Sequence, residues 1–361
     1  MANSIHVKAP ARICLFGDHQ DYLGLPVIAC AIDRYIYIKA TPNKSQRFEF
    51  DLPDLGTSLS IPIKESPKEL EARDYFRSSL SVLGREGIVP DKGYNITLHG
   101  DIPINAGISS SSALTVAWIS FLLKAFGDIN KYTAAELGHL AYLAESIEHN
   151  ESGGRMDQYT SAVGGIVLIE TDQDKTLKNL DVPLSTILIS ESGDNKDTLG
   201  GLAHLNSKAK EAIGILKEYD QSYSVKRAKS SQVKLHASML PSYLHPIYEA
   251  AINNHEITKK VIDLVLSNQA NHQGIGDLMY KHHSLLRDLL KITTPKIDSI
   301  VQTAMDLGAF GAKIIGSGGG GCVVILCDDT NKEGILAALN DRVGAKTYQV
   351  HISEGAHQLN L

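Results

Sequence analysis

The sequence predicts an α+β chain in two halves, on three observations. The first half mixes strand-like segments rich in Ile, Val and Tyr with three helical stretches. The second half is dominated by long amphipathic helices framed by a few strands. No repeat of 20 to 50 residues and no regular βα series runs through either half.

Taken in order, Ile5 to Ala9 and Ile28 to Ala40 read as strands with partial alternation. Residues 41 to 68 hold polar residues and four prolines, which predicts loops and short edge strands. Glu69 to Gly84 predicts a helix, and Gly93 to Leu98 a strand leading into a serine-rich loop. An apolar run, Leu114 to Leu123, follows that loop as a second helix. Thr133 is the N-cap of the next helix, with Glu136 as capping-box partner three residues on. That helix runs to about His149 and breaks at Ser152-Gly153-Gly154, before a strand at Gly165 to Glu170. The apolar pattern thins near 170 to 185, so the expected domains are 1–180 and 181–361. The second opens with a strand, Ser185 to Ser190, followed by helices near 204–218, 242–268, 276–291 and 295–307. Two strands bracket a glycine turn between 311 and 327, and a helix and strand close the chain.

The 361 residues suffice for two cores, and 43% hydrophobic with 21% charged is ordinary globular composition. A formal net charge of -6, with no broad basic field, argues against nucleic acid or an anionic membrane as main partner. Met1 to Lys8 lacks a signal-peptide core and no apolar stretch is long enough to span a bilayer, so a cytoplasmic protein is expected. Cys14, Cys30, Cys322 and Cys327 have no paired metal-ligand spacing and sit in apolar segments, as buried reduced thiols would.

Four segments carry candidate chemistry. The first is Pro103-Ile-Asn105-Ala106-Gly107-Ile108-Ser109-Ser110-Ser111-Ser112-Ala113. A glycine lets backbone approach an anion, and the following helix offers unpaired N–H groups and its dipole, so the loop suits a phosphate. The second is Gly316-Ser317-Gly318-Gly319-Gly320-Gly321 between two apolar strands. A hairpin needs one or two glycines, so the excess points to another backbone or a ligand passing close. The third is Asp18-His19-Gln20-Asp21-Tyr22, just past a buried strand, where carboxylates, imidazole and phenol suit a ligand with many hydroxyls. The fourth is the pair Glu145 and Asp157, one carboxylate for Mg²⁺ and one for a substrate hydroxyl. His282 and His283 are neighbours on a helix and point about 100° apart, so a core stripe of Leu278, Met279, Leu285, Leu286 and Leu289 is expected there instead of a metal site.

In this order, these segments resemble the GHMP kinases, the family of galactokinase, homoserine kinase, mevalonate kinase and phosphomevalonate kinase. The matching motifs are Pro10-Ala11-Arg12 through Gly17-Asp18-His19, the Pro103 to Ala113 loop, and Gly311-Ala312-Lys313 through Gly321-Cys322. The galactokinase-like branch fits best. Asp18-His19-Gln20-Asp21-Tyr22 is similar to its Glu-His-Thr-Asp-Tyr sugar motif, and Ala144-Glu145 with Met156-Asp157-Gln158 to its Ala-Glu-His and Ile-Met-Asp-Gln segments. Leu278-Met279, His283, Leu286-Arg287-Asp288 and Pro295 are similar to its later helix.

The resemblance implies a two-domain fold, with an N-terminal domain like domain 2 of ribosomal protein S5, a ferredoxin-like C-terminal domain and the active site in the cleft between them. It implies ATP as cosubstrate on residues 105–112, with Asn105, Ala106, Gly107, Ile108 and Ser109 to Ser112 around the phosphates, and Mg²⁺ on Glu145 and on Ser110 or Ser111. Arg12 and Asp157 would be catalytic, and Asp18, His19, Asp21 and Gly154 would line the sugar. The implied reaction is phosphorylation of the anomeric hydroxyl of galactose or a related sugar. The alternatives are a uronic acid, another sugar, mevalonate, or a non-catalytic regulator on the same scaffold.

Departures from the galactokinase pattern bear on the acceptor. Ala11-Arg12-Ile13-Cys14 stands where galactokinases have Gly-Arg-x-Asn, and Asp18 is one methylene shorter than the usual glutamate. Gly153-Gly154 replaces cysteine–glycine. Arg155 replaces an apolar residue and is expected to pair with a nearby Asp or Glu; its other reading is a partner for the carboxylate of an acidic sugar. Ser192 to Thr198 is similar to the Gly-x-x-Lys-x-Thr stretch of mevalonate kinases instead.

Overall fold

The computed structural model describes residues 4–64, 70–103, 107–151, 153–172, 177–194 and 198–358. Strands β1 (Ile5–Phe16) and β2 (Val27–Pro42) pair antiparallel, from Ile5 opposite Ala40 to Phe16 opposite Ile28. β1 runs well past Ala9 because every position from Ala9 to Phe16 is buried. Covered on both faces, that stretch shows no alternation for a sequence reading to find. β3 (Arg47–Leu52) and β4 (Thr57–Pro62) are the edge strands expected in 41–68, and β5 (Tyr94–Gly100) lies between β2 and β3. β6 (Ile166–Ile169) pairs with β2 and with β7 (Leu177–Asn179).

Three helices set the site against this sheet. α1 (Tyr75–Arg85) starts later than Glu69, capped by the Asp74 side chain on the Arg77 amide. α2 (Ser110–Phe126) is buried almost all round from Ser112 to Leu123, as a helix apolar on every side must be. Trp118 packs edge-on to Phe48 at 5.2 Å between ring centroids and donates Nε1–H to the Phe76 carbonyl at 3.1 Å, which holds α2 against β3 and α1. α3 (Ala134–Tyr142) opens with the expected reciprocal cap of Thr133 and Glu136. It then loosens into a π turn, Leu143–Ile147, before α4 (Met156–Val163).

The second sheet has the order β11-β8-β10-β9, built from β8 (Thr186–Glu191), β9 (Gly311–Ile314), β10 (Cys322–Cys327) and β11 (Lys346–Val350). With it go α5 (Thr198–Tyr219), α6 (Val233–Ala237), α7 (His245–Leu266), α8 (His272–Asp288), α9 (Pro295–Asp306) and α10 (Asp329–Ala337). The two sheets fall on either side of residue 180 except at the end of the chain. There β12 (His357–Gln358) returns to the first sheet, with Gln358 opposite Val7 and His357 opposite Lys8. The buried stripe of α8 holds Leu278, Met279 and Leu286 as expected, but His282 and His283 take core positions while Leu285 and Leu289 are only half-buried. His282 stacks on Phe16 at 6.3 Å, and His283 Nδ1 accepts the Ile314 amide at 3.3 Å. Burial, with the Lys313 ammonium beside it, lowers His282 to about 3 and so favours its neutral form. All four cysteine thiols are buried.

Candidate active site

A cavity of about 920 Å³ opens between the two halves, and Arg12, Ser109, Ser110, Ser111, Glu145 and Asp157 all line it. Its most constrained part is a fork. Arg12, at 5% exposure, donates from Nε to Asp157 Oδ1 at 2.7 Å and from one terminal nitrogen to Oδ2 at 2.6 Å. The other terminal nitrogen donates to the Gly107 carbonyl at 2.8 Å, and the Arg12 amide donates to the Ile108 carbonyl at 3.2 Å. The strand that carries Arg12 thus sets both the carboxylate and the serine loop. A bidentate guanidinium–carboxylate pair fixes direction as well as charge.

The loop turns into α2 at Ser109, whose φ of 61° and ψ of 54° are left-handed. A serine in that region is uncommon and costs energy. Here its hydroxyl donates to Asp157 Oδ2, so no side chain caps the first turn of α2 and its N–H groups are left to the cavity. Asn105 and Ala106 lie outside the described residues. Ser112, the fourth serine of the loop, turns away from the cavity and is buried.

Glu145 reaches the same place from the π turn. The Glu148 amide bonds back five residues to Leu143 at 3.0 Å, where an α-helix would bond back four. Glu145 is 5% exposed and accepts the Gln158 amide at 2.7 Å. Burial pushes its carboxyl up to about 7, against the hydroxyls of Ser111 and Ser112 and the Gln158 amide, which favour the charged form. A buried carboxylate with hydroxyls around it is a hard-oxygen donor set that suits Mg²⁺, and a divalent cation would offset the cost of its charge.

The sugar-motif residues line the adjoining wall: Asp18, His19, Asp21, Tyr22 and Gly154. Asp18 lines the cavity while each of its oxygens also accepts an internal hydrogen bond. Oδ2 pairs with Lys313, which is fully buried, and Oδ1 accepts the Gly316 amide at 2.9 Å. Burial favours the neutral acid, but the Lys313 charge outweighs it and holds Asp18 at about 2. His19 Nδ1 lies 3.4 Å from the Tyr22 hydroxyl. Asp21 accepts the Tyr22 amide at 2.9 Å and turns the rest of its carboxylate toward Gly154. A Cβ at Gly154 would stand 1.8 Å from Asp21 Oδ2, so only glycine leaves the carboxylate where it is.

The glycine turn does both things its composition suggests. Gly316 and Ser317 line the cavity. Gly318, at φ +80°, passes so near Ile292 that a Cβ would meet the Ile292 Cβ at 2.5 Å, and the Gly319 amide donates to the Ile292 carbonyl at 2.7 Å. The cavity lining also includes the apolar residues Ile36, Leu52, Leu98 and Leu114. These four come from separate elements with no shared motif, so the sequence reading did not find them.

Three family models match this chain: the GHMP kinases N terminal domain over residues 72–165, the GHMP kinases C terminal over 264–345, and the galactokinase galactose-binding signature over 2–42. The chain belongs to the GHMP kinases.

Members of this family are small-molecule phosphotransferases, and this GHMP kinase has the family's two-domain fold. The mevalonate kinase of Thermococcus sibiricus is 28% identical over 335 residues, covering 90% of each chain. The galactokinase of Chloroflexus aurantiacus is 27% identical over 367 residues, covering 97% of this chain and 91% of its own. The crystal structure of Lactococcus lactis galactokinase complexed with galactose matches with a TM-score of 0.88 at 21% identity, covering 99% of this chain and 95% of that one. The Methanococcus jannaschii mevalonate kinase matches with a TM-score of 0.71 at 22% identity, covering 98% and 99%. Among the described residues no helix is long and apolar enough to cross a membrane.

Arg155 also departs from expectation. It makes no ion pair with an Asp or Glu among the described residues; its guanidinium lies 5.4 Å from the centre of the Tyr142 ring. The 192–198 segment lies partly outside the described residues, and within it Asp194 accepts the Thr294 hydroxyl.

Two outcomes follow from the sugar wall. Gly154→Ala will displace the Asp21 carboxylate and lower kcat/KM for the acceptor on the order of 10²-fold, the cost of an ångström-scale misplacement, with little loss of thermal stability. Unchanged kinetics would show that Asp21 does not need this position. Asp21→Asn will act on stability through pH. Burial, then the nearby Asp157 carboxylate, push Asp21 up to about 7 from 3.8, so the folded enzyme holds a proton there that the unfolded chain has lost. Stability from this group therefore falls as pH rises from about 4 through 7. The variant will be the more stable enzyme at pH 8, by on the order of 1–4 kcal/mol, and will match the parent near pH 4. Thermal midpoints at the two pH values test this; a pH-independent difference would refute it.

Proposed function

We propose that this enzyme transfers the γ-phosphoryl group of ATP to a hydroxyl of a sugar, namely the anomeric hydroxyl of galactose or a close relative. The Arg12–Asp157 fork carries the reading: it joins the mouth of the serine loop to the wall built from the sugar motif. Phosphoryl transfer asks for alignment and charge neutralisation more than covalent chemistry. The open amides at the start of α2, with Ser110 and Ser111, hold the triphosphate, and the apolar residues Ile36, Leu52, Leu98 and Leu114 take the base. Glu145 with Ser111 or Ser110 would hold Mg²⁺, which when bound neutralises phosphate charge. Arg12 stabilises charge on the moving group and fixes Asp157, which orients the acceptor hydroxyl and takes its proton. Asp21, with Gly154 beside it, and His19 bind the other hydroxyls. Asp18 shapes the wall through Lys313 and the Gly316 amide.

The second reading is mevalonate as acceptor, favoured by the Thermococcus relative's 28% identity. Arg12 in place of lysine, the Asp-His-x-Asp-Tyr cluster and the galactose-binding signature favour a sugar. ADP release should be measured against galactose, galacturonate, glucuronate, arabinose and mevalonate, with the product's phosphate located by NMR. Sugar-dependent ADP release with an anomeric phosphate is expected. Turnover of mevalonate alone would overturn the sugar reading, and ATP binding without release for any acceptor would favour a regulator.

A further inference from the structure

Asp21, Tyr22, Glu151, Gly153 and Gly154 line the main cavity and also a second hollow of about 420 Å³. Beyond that partition the hollow is bounded by Tyr142, Arg155, Asn206 and Lys210, among others.

The hollow carries unspent positive charge. One terminal nitrogen of Arg155 is buried and has no hydrogen-bond partner among the described residues. Buried polar groups in folded proteins are nearly always paired, and a charged donor left alone is costlier than a neutral one. The guanidinium carbon lies 5.4 Å from the centre of the Tyr142 ring, within cation–π range, and Arg155 lines the hollow. Lys210, exposed on α5, adds a second cation without an ion pair among the described residues. Of the acids at the partition, Glu151 faces Arg73 at 3.9 Å, and burial pushes the Asp21 carboxyl up to about 7.

We propose that Arg155, helped by Lys210, forms a subsite for an oxyanion carried by the acceptor substrate, so that the enzyme acts on an acidic or phosphorylated sugar in preference to a neutral one. This rests on the sugar-kinase reading of the same site. A substrate held at the wall the two cavities share would place its anionic group in the hollow that Arg155 and Lys210 line. A carboxylate or a phosphate meets that requirement, and either accepts the two parallel hydrogen bonds that a guanidinium edge offers.

The test compares galactose, galacturonate, galactose 6-phosphate and mevalonate on the parent enzyme, Arg155→Met, Arg155→Lys and Lys210→Met. In the parent, kcat/KM for galacturonate or galactose 6-phosphate will exceed that for galactose at least about tenfold, and which of the two wins identifies the anion. Arg155→Met will reduce that acid-to-neutral ratio on the order of 10²-fold, Arg155→Lys less, and Lys210→Met by a few fold. Lys210 is exposed, so its variant remains informative should Arg155→Met fold poorly. An acid-to-neutral ratio near one that neither substitution moves overturns the subsite and leaves the kinase reading standing. If no acceptor yields ADP, the kinase reading fails and calorimetry decides the subsite. Galacturonate or galactose 6-phosphate binding that is lost in Arg155→Met supports it, whereas equal binding or none overturns it.

Discussion

Asp157→Asn is expected to lower kcat by on the order of 10²–10⁴-fold in an enzyme that stays folded and still binds ATP. The asparagine keeps an acceptor for Arg12 Nε, which now bonds Oδ1 at 2.7 Å, but offers neither a charge nor a base. General-base and orienting contributions are of that size. Asp157→Ala removes the acceptor as well and loses at least 10²-fold. It also leaves Arg12, 5% exposed, without its carboxylate, and stranding a buried donor costs about 1–3 kcal/mol. The two variants therefore separate chemistry from scaffolding: both lose turnover, but the alanine loses more thermal stability. ADP release with the best acceptor, beside thermal denaturation, reads both. Turnover near that of the parent in folded Asp157→Asn would remove the carboxylate from the reaction.

Lys313→Met destabilises the enzyme by about 3–5 kcal/mol at neutral pH. Lys313 is fully buried and pairs with Asp18, itself 2% exposed, between the glycine turn and the sugar motif. Methionine fills similar volume but strands the carboxylate. The loss depends on pH. In the parent, Asp18 is held at about 2, so its stabilising share is present above the ordinary carboxyl value of 3.8 and is lost as pH falls toward 2. In the variant, burial without Lys313 raises Asp18 above its ordinary value, so it takes up a proton as pH falls from neutral toward 4 and the gap between the two proteins narrows over that range. Asp18→Asn combined with Lys313→Met recovers much of the stability, because no unpaired charge remains. Urea midpoints at pH 7 and pH 4 measure these differences. A Lys313→Met midpoint equal to the parent's at pH 7 would show that the pair does not support the fold.

These two substitutions also mark how far the sequence could be read. The serine loop and the Asp18 to Tyr22 cluster stood out as runs of unusual residues beside apolar segments, whereas the roles expected of Arg12, Glu145 and Asp157 came from the resemblance to the GHMP kinases. The Thr133–Glu136 cap was legible because its signal is local, three residues apart. The Asp18–Lys313 pair joins positions 295 residues apart, and a lone lysine beside a glycine turn says nothing of what it will meet. The return of β12 to β1 escaped for a similar reason, since two residues make no pattern.

Residue types and short spacings, with the family resemblance they carry, were therefore enough to place the chain among small-molecule kinases and to outline most of its helices. Which oxygen each group can offer a ligand was decided only in three dimensions. Asp18 accepts from both Lys313 and the Gly316 amide, Ser109 gave its hydroxyl to Asp157, and Arg155 kept a buried nitrogen with no hydrogen-bond partner among the described residues. The reason is physical. A motif fixes which donors and acceptors exist, but hydrogen bonds are exclusive and directional, so their assignment depends on every neighbour that packing brings within about 3 Å.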